Sequence, residues 1–452
     1  MRYARIGALA GAVVLVAAAC SSGSSAAPSA AAPSAAPGGS AAAPSSAAPS
    51  AAASKGTLKV GVTLPLSGGA AADGQPTLKG AQLAVDQANA AGGIGGYKLE
   101  IFPLDHAVNG KYNEQQGAQD MQNFVGDAAV IGVMGPYNSA VAKVRIPISN
   151  DAGLVQCSPA NTNEALTMPE FGALNYRKNF PDRINYIRVA ATDVVQGPAM
   201  AKYAFEKLGL KNMLIVDDVT TFGKGVADNF EKAYKELGGT VAQRVGAGPD
   251  TTDFNAIITS AKTKNPDGVY YGGVVTSGAG LLLKQMRQQG LNIPFTGPDG
   301  IVNGPGDAEG SLIGIAGKEN AAGSWGTTAA LGDFPGKKDF DAAYKAAFGN
   351  DATFSAPGAY SGPAHACTTV MLTSLAEFLK ANPDADMAAI REGVRAWATD
   401  PSHKFDTVLG PESFDKNGDT AAPFISFWTV DPAAGANGVG DWVFKEFLAF
   451  GK

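Results

Sequence analysis

Short apolar runs alternate with helically spaced apolar residues along most of this chain. Residues 58–64 and 128–134 are mostly apolar, as in strands that are covered on both faces of a parallel sheet. Between them, Leu78, Ala81 and Val85 recur every three or four residues, which predicts a helix with one apolar face. Strands that alternate with helices in this way predict an α/β fold built on parallel sheets.

The alternation begins a second time in the middle of the chain. In each half a predicted helix stops at a Gly-Gly pair, at 92–93 and at 238–239, and glycine commonly ends helices. Two such halves predict two similar lobes, each with a doubly wound parallel sheet. The remaining predicted strands lie at 98–104, 154–155, 212–217, 240–245, 269–273 and 295–300, the last with its loop. The remaining predicted helices lie at 112–124, 226–237, 281–289, 337–348, 360–380 and 386–396.

The first twenty residues have the composition of an export signal. Arg2 and Arg5 precede an apolar run at 6–16 that is too short to span a membrane, and small residues then lead to Cys20. This pattern resembles a bacterial lipoprotein signal, although Ala17 stands where Leu is usual. We therefore predict a signal peptide over 1–19 and a lipid on Cys20. The alternative is an ordinary secretory signal with a chance cysteine.

A long segment of small residues follows the signal. Residues 21–54 contain only Ser, Gly, Ala and Pro, and such a segment has no large apolar side chains with which to build a core. We predict a disordered tether over 20–55, which as a flexible coil spans on the order of 30 Å. The expected location is the outer face of the cell membrane, with the folded part held away from the lipid.

Charge and motifs exclude several classes of function. The chain carries 35 Lys and Arg against 41 Asp and Glu and has no basic run, so a nucleic-acid partner is excluded. The patterns HExxH, CxxC, GxSxG and GxxxxGK[ST] are absent. We therefore predict no catalytic residues, no metal, no cofactor and no enzyme activity. His106 is predicted to lie on the surface or in a loop.

The sequence DKNGD at 415–419 resembles the start of a calcium loop. Thr420 stands where that loop needs Gly, and Ser426 stands where it needs Glu. We therefore predict a β-hairpin turn at 415–419.

The sequence SPANT at 158–162 is the strongest local candidate for a ligand site. It follows a predicted strand and precedes 163–166, which is predicted to start another helix. The carboxyl ends of strands and the amino-terminal ends of helices favour a carboxylate or a phosphate. The alternative is a helix cap with a proline-bounded turn.

Six short motifs, in order, carry a resemblance to a known family. They are LPLSG at 64–68, NAAGGI at 89–94, SPANT at 158–162, QGP at 196–198, VYYGG at 269–273 and GPDG at 297–300. From residue 56 to its end the chain resembles the branched-chain amino-acid-binding family of ABC transporter receptors, which have the type I periplasmic-binding fold. The resemblance implies two lobes joined by three hinge crossings, near Ala191, Thr327 and Leu409. Lobe 1 would comprise 57–191 and 327–408, and lobe 2 would comprise 192–326 and 409–452.

The resemblance also implies a ligand site between the lobes. Ser139 and the turn with Ala160, Asn161 and Thr162 would hold the carboxylate of an amino acid and help to hold its ammonium group. Asp299 would pair with that ammonium group from the other lobe. Phe222 would contact the ligand side chain.

Four positions depart from the family pattern and leave the ligand open. Phe222 and Val274 stand where Tyr is frequent, Asp73 where an aromatic residue is frequent, and Asp299 where Glu is usual. A branched-chain amino acid is the default ligand, and a polar amino acid or a small amide or urea-like solute is the alternative. The implied function is a monomeric lipoprotein that delivers the ligand to the membrane permease of an ABC transporter. A sensor that passes its closed state to a signalling receptor is the alternative.

Once Cys20 carries a lipid, Cys157 and Cys367 remain. The hinge positions implied by the resemblance place both in lobe 1, and an exported protein permits a disulfide between them. The alternative is two buried thiols.

Overall fold

The computed structural model describes residues 54–449. The predicted signal peptide at 1–19, the lipidation site Cys20 and nearly all of the tether at 20–55 lie outside the described residues. Within 54–449 no helix is long and apolar enough to cross a membrane.

The first lobe is built on a five-stranded parallel sheet with the strand order β2-β1-β5-β6-β7. Its strands are β1 (Gly56–Leu64), β2 (Tyr97–Asp105), β5 (Val130–Met134), β6 (Gln156–Ser158) and β7 (Tyr186–Arg188). A small hairpin joins β3 (Ala107–Val108) to β4 (Lys111–Tyr112). The helices of this region are α1 (Ala71–Ala90), α2 (Glu114–Gly126) and α3 (Ser139–Ala152). The apolar strands are buried on both faces, as the sequence pattern predicts.

The second lobe is built on a seven-stranded sheet with the order β16-β15-β12-β11-β10-β8-β9. Its strands are β8 (Asn212–Asp217), β9 (Thr240–Gly246), β10 (Gly268–Gly272), β11 (Phe295–Gly297), β12 (Trp325–Thr328), β15 (Phe424–Asp431) and β16 (Asp441–Ala449). Its helices are α4 (Asp193–Lys202), α5 (Thr221–Glu236), α6 (Asn255–Lys262), α7 (Ala279–Gln288), α8 (Leu312–Ala316) and α9 (Lys318–Ala321). The first five strands are parallel, whereas β15 and β16 are antiparallel additions at one edge. The predicted α/β fold with two parallel-sheet lobes is confirmed.

Three more helices and a strand pair return to the first lobe. They are α10 (Lys337–Phe348), α11 (Ser361–Ala381), α12 (Met387–Ala398), β13 (Phe405–Thr407) and β14 (Gly410–Glu412). Helix α11 packs closely on α1 because Gly80 has no side chain: a Cβ there would lie 2.1 Å from the carbonyl oxygen of Ser361. Phe405 and Phe414 belong to the same buried cluster as β1. The third passage between the lobes therefore falls between Phe414 and the start of β15.

A disulfide fastens α11 to the first sheet. Cys157 in β6 and Cys367 in α11 are joined with an S–S distance of 2.00 Å and a Cα–Cα distance of 5.4 Å. Both residues are fully buried in the main cluster of the first lobe. The bond thus connects two segments that are separated by 210 residues.

Several local predictions differ from the structure. The helix predicted at 112–124 begins only at Glu114, because the side chain of Asn113 caps it. The prediction that a helix starts at 163–166 is wrong, because only a single 3-10 turn, Glu164–Leu166, forms there. Pro169 begins another short turn, and Gly172 ends it in the left-handed conformation. Proline and left-handed glycine both interrupt a helix.

His106 is also not at the surface, as predicted, but fully buried. Its ring nitrogens lie 3.0 Å from Thr63 Oγ1 and 3.2 Å from Asn138 Oδ1. The surface alternative of the prediction is therefore wrong, whereas the loop alternative is right, because residue 106 lies between β2 and β3. Burial lowers the pKa of His106 to about 3, so the ring is neutral.

Candidate ligand-binding site

The turn at 158–162 lies at the carboxyl end of β6 and is fastened to the start of α3. The Ser158 hydroxyl donates to Pro136 O (2.7 Å) and accepts from Asn161 N (2.9 Å). The Asn161 amide donates to Tyr137 O and accepts from the Tyr186 hydroxyl, both at 2.7 Å. The Asn161 side chain therefore fixes the position of the turn.

A buried ion pair supports the same turn from behind. Arg188 Nη1 donates to the carbonyl oxygens of Asn161 (3.3 Å) and Asn163 (2.8 Å). Its Nε lies 2.7 Å from Asp419 Oδ1. Asp419 belongs to the predicted hairpin turn at 415–419, which is confirmed by the bond from Asp415 N to Asp419 O (2.8 Å). The turn that carries the candidate site is thus held by residues from three separate parts of the chain.

Hydrogen-bond donors converge where this turn meets α3. Ser139 begins α3, and the first N–H groups of a helix have no intrahelical acceptor. The Thr162 hydroxyl is buried beside the Asp193 carboxyl group and forms no well-aligned hydrogen bond among the described residues. These hydroxyl and amide groups, together with the positive end of the helix dipole, suit a carboxylate.

Asp299 faces this site from the loop after β11. Its Oδ2 accepts from the Tyr360 hydroxyl (2.7 Å), and its Oδ1 accepts from Gln196 Nε2 (2.8 Å). Burial raises the pKa of Asp299 to about 6, while the hydrogen bonds from Tyr360 and Gln196 oppose this shift. A cationic group placed beside Asp299 would lower its pKa again, because the charge stabilises the carboxylate.

Asp193 is a second acid of the site, and the sequence analysis missed it. It is fully buried at the start of α4 and shares the Gln196 amide with Asp299, because Gln196 Nε2 also lies 3.1 Å from Asp193 Oδ1. Its Oδ2 has no partner among the described residues. Burial, and then the charge of Glu164, raise its pKa well above the ordinary range. The only sequence signal was its position three residues before Gln196 in the QGP motif.

Asp73 is a third acid, carried by the first turn of α1. Burial raises its pKa to about 7, and hydrogen bonding with the side chains of Asn303 and Tyr137 opposes this shift. The charge of Asp299 raises it further, so the two carboxyl groups are near each other. The rings of Tyr137 and Tyr360 meet edge to face at 5.4 Å between the two acids.

A small cavity of about 20 Å³ marks the meeting point of the two lobes. The predicted residues Ser139, Ala160, Phe222 and Asp299 line it together, and so does Val274. Asn161 and Thr162 do not line it, although they adjoin Ala160 in the turn. Such a volume holds about one water molecule, so the lobes must separate to admit a larger solute.

Contacts across the cleft hold the lobes in this arrangement. Asn163 Nδ2 donates to Thr221 O (3.1 Å), and Lys111 Nζ lies 2.8 Å from Asp250 Oδ1. Tyr112 packs against the apolar group of Phe222, Val226 and Val274. Within residues 54–449 no group of three or more His, Cys, Asp or Glu is placed to hold a metal ion.

Comparisons with known proteins agree on one family. The family model described as "Periplasmic binding protein" matches residues 57–418. Leu/Ile/Val-binding protein homolog 2 of Brucella abortus (strain 2308) is 31% identical over 371 residues, which are 82% of this chain and 90% of that protein. The Leu/Ile/Val-binding protein of Escherichia coli (strain K12) is 31% identical over 363 residues, which are 80% and 88% of the two chains.

A solved structure gives the same result. The leucine binding protein LivK of Thermotoga maritima superimposes with a TM-score of 0.69 at 26% identity, over 86% of this chain and 98% of that one. The resemblance predicted from the six motifs is confirmed, because the family match covers most of the chain. The chain therefore belongs to the periplasmic binding protein family, the extracytoplasmic solute-binding proteins of transporters.

Proposed function

We propose that this protein captures an amino-acid-like solute between its two lobes and delivers it to the membrane permease of an ABC transporter. The observation that carries the proposal is the opposed pair of surfaces at the cleft. Donor groups at Ser139 and Thr162 lie on one lobe, and the Asp299 carboxyl group lies on the other. A zwitterion complements both surfaces at once. Relatives whose names specify Leu, Ile and Val make a branched-chain amino acid the default ligand.

The proposed orientation follows from these charges. The ligand carboxylate lies against Ser139 and the turn from Ala160 to Thr162, and the ammonium group faces Asp299. Burial disfavours the ionised form of Asp193 beside Thr162, and an ammonium group placed near it would stabilise that form. The ligand side chain packs against Phe222.

The lobe boundaries are part of the proposal. The first two hinges lie near Ala191 and Thr327, where the backbone bond from Ala191 N to Ala329 O (2.8 Å) joins two of the connecting segments. The packing of Phe414 favours a third hinge after Leu409. Lobe 1 then comprises 57–191 and 327 to about 420, because Asp419 binds Arg188, and lobe 2 comprises 192–326 and the residues from β15 onward.

The export features complete the proposal. A lipid on Cys20 anchors a monomer to the outer face of the cell membrane, and the Ala/Pro/Ser tether lets the folded part reach the permease. This part of the proposal is supported by the sequence of residues 1–55.

A thermal-shift screen of the full chain against the common L-amino acids, small amides and sugars tests the ligand class. A ligand at 100 times its dissociation constant stabilises the folded state by about 2.7 kcal/mol. Asp299→Asn should weaken binding of the best amino acid roughly tenfold to a hundredfold, because a charge-assisted hydrogen bond contributes about 1.5–3 kcal/mol. Asp253→Asn, at an exposed position of the second lobe, is the matched control. Equal affinity of parent and Asp299→Asn would show that the ammonium assignment is wrong.

A further inference from the structure

A second, much larger cavity lies beside the proposed amino-acid clamp. Its volume is about 510 Å³, within the usual range of small-molecule sites. Segments of both lobes line it: Pro76 and Phe340 come from helices of the first lobe, and Val302 and Trp442 come from the second. A solute in this cavity would therefore contact both lobes, as the proposed closure requires.

Asp73 lies near both cavities, although it lines neither of them. Its neighbours on α1, Ala72 and Pro76, line the large cavity. Of its two hydrogen-bonding neighbours, Asn303 lines the large cavity and Tyr137 lines the small one. These neighbours place the Asp73 carboxyl group close to both cavities.

The lining of the two cavities is strongly acidic. Lys337 is the one basic residue among the lining residues, and its Nζ lies 2.6 Å from Asp341 Oδ2. Five aspartates line the cavities, in addition to Asp73 near them: Asp299, Asp307, Asp333, Asp341 and Asp441. A zwitterion with an apolar side chain neutralises at most the acid beside its ammonium group.

Aromatic rings form much of the remaining wall. They belong to Phe334, Phe340, Phe354, Trp428, Trp442 and Phe444. Cations bind favourably over such rings. Trp442 is nine-tenths buried, and its indole N–H has no hydrogen-bond partner among the described residues. The large cavity thus combines surfaces for methylene groups with surfaces for a cation.

We propose that Asp73 selects an amino acid with a long side chain that carries a cationic or N–H donor group, such as L-arginine or L-lysine. The proposal rests on the amino-acid binding proposed above and specifies its ligand. The side chain leaves the clamp, pairs with Asp73 and extends along the aromatic wall of the large cavity. An isobutyl side chain would leave Asp73 with its hydrogen bonds to Asn303 and Tyr137 but without an opposite charge, which is less favourable for a carboxylate removed from water.

Titration calorimetry of the full chain with L-arginine, L-lysine and L-leucine tests this inference. The parent should bind arginine or lysine at least tenfold more tightly than leucine. Asp73→Asn should weaken binding of the basic amino acid by roughly tenfold to a hundredfold, since the substitution removes one charge-assisted hydrogen bond. Asp73→Leu should also weaken binding of the basic amino acid. The Asp73→Leu variant should bind leucine more tightly than the parent does. Asp86→Asn is the matched control, because Asp86 is exposed on the same helix.

Three results would contradict the inference in distinguishable ways. If leucine binds the parent more tightly than both basic amino acids, the ligand class is wrong but the proposed function stands. If a basic amino acid is preferred and both Asp73 variants keep that preference unchanged, Asp73 is not the selecting residue. If no α-amino acid binds the parent, the proposed function itself fails, and the inference fails with it.

Discussion

At the scale of single residues, burial controls the charge of the acids in this protein. Glu412 is an example outside the ligand site. Its side chain is buried and accepts a hydrogen bond from the Thr420 hydroxyl (2.9 Å). Burial raises the pKa of Glu412 to about 8, from an ordinary value of 4.5. The folded protein therefore holds this proton more tightly than the unfolded chain.

This shift predicts a pH-dependent effect of Glu412→Gln. Because the folded pKa is raised, the contribution of Glu412 to the free energy of unfolding is fully present below about pH 4.5 and is lost as the pH rises through about 8. Gln cannot titrate, so the variant should lose less stability than the parent between pH 6 and pH 9. Urea unfolding across this range measures the difference, and Glu236→Gln, at an exposed position, is the control. Parallel pH profiles for parent and Glu412→Gln would show that Glu412 is ionised in the folded state.

At the scale of secondary-structure elements, α11 connects the core of the first lobe to the ligand site. Tyr360 immediately precedes α11 and donates to Asp299 on the second lobe. Within α11, Cys367 is bonded to Cys157 in β6. The helix that positions Tyr360 is thus fastened covalently to the strand that carries the candidate turn at 158–162.

Removal of this bond should destabilise the first lobe. We expect Cys157→Ala/Cys367→Ala to lower the free energy of unfolding by about 2–5 kcal/mol, the usual cost of losing a native disulfide in a secreted domain. Urea unfolding of the oxidised parent and the double variant measures this cost, and the reduced parent separates loss of the bond from loss of the sulfur atoms. Two free thiols at these positions in denatured, unreduced protein would rule out the bond.

At the scale of the whole molecule, the two lobes contact each other around a cavity too small for an amino acid. A buried hydrogen bond from Tyr360 to Asp299 joins the lobes, whereas the pair of Lys111 with Asp250 is largely exposed. Exposed ion pairs of this kind contribute about 0–1 kcal/mol. A ligand can favour the closed arrangement further only by contacting both lobes.

This balance predicts a change of shape on ligand binding. The radius of gyration of the protein saturated with its best ligand should be smaller than that of the ligand-free protein, because hinge closure brings the lobes together. Small-angle X-ray scattering of both states measures the change, and Asp299→Asn at the same ligand concentration should remain closer to the ligand-free value. An unchanged radius of gyration at saturation would contradict closure by hinge bending.

The sequence alone determined the fold class, most helices and strands, and the family. These features depend on local information: apolar periodicity specifies the buried face of an element, and Gly-Gly pairs specify where a helix ends. The family resemblance that the six motifs carry implied one site for Ser139, Ala160, Phe222 and Asp299, and these four residues line the small cavity together.

Only the tertiary structure decided what surrounds those residues. Asp193 and Tyr360 reach Asp299 from segments 106 and 61 residues away, Asp193 through the shared amide of Gln196. Asp73 lies near two cavities, each of which is lined by several distant segments. Periodicity does not specify which distant segments meet, and burial depends on all the elements that pack on a residue. For the same reason His106, which directly follows β2, proved to be buried, since Thr63 and Asn138 from other segments contact its ring.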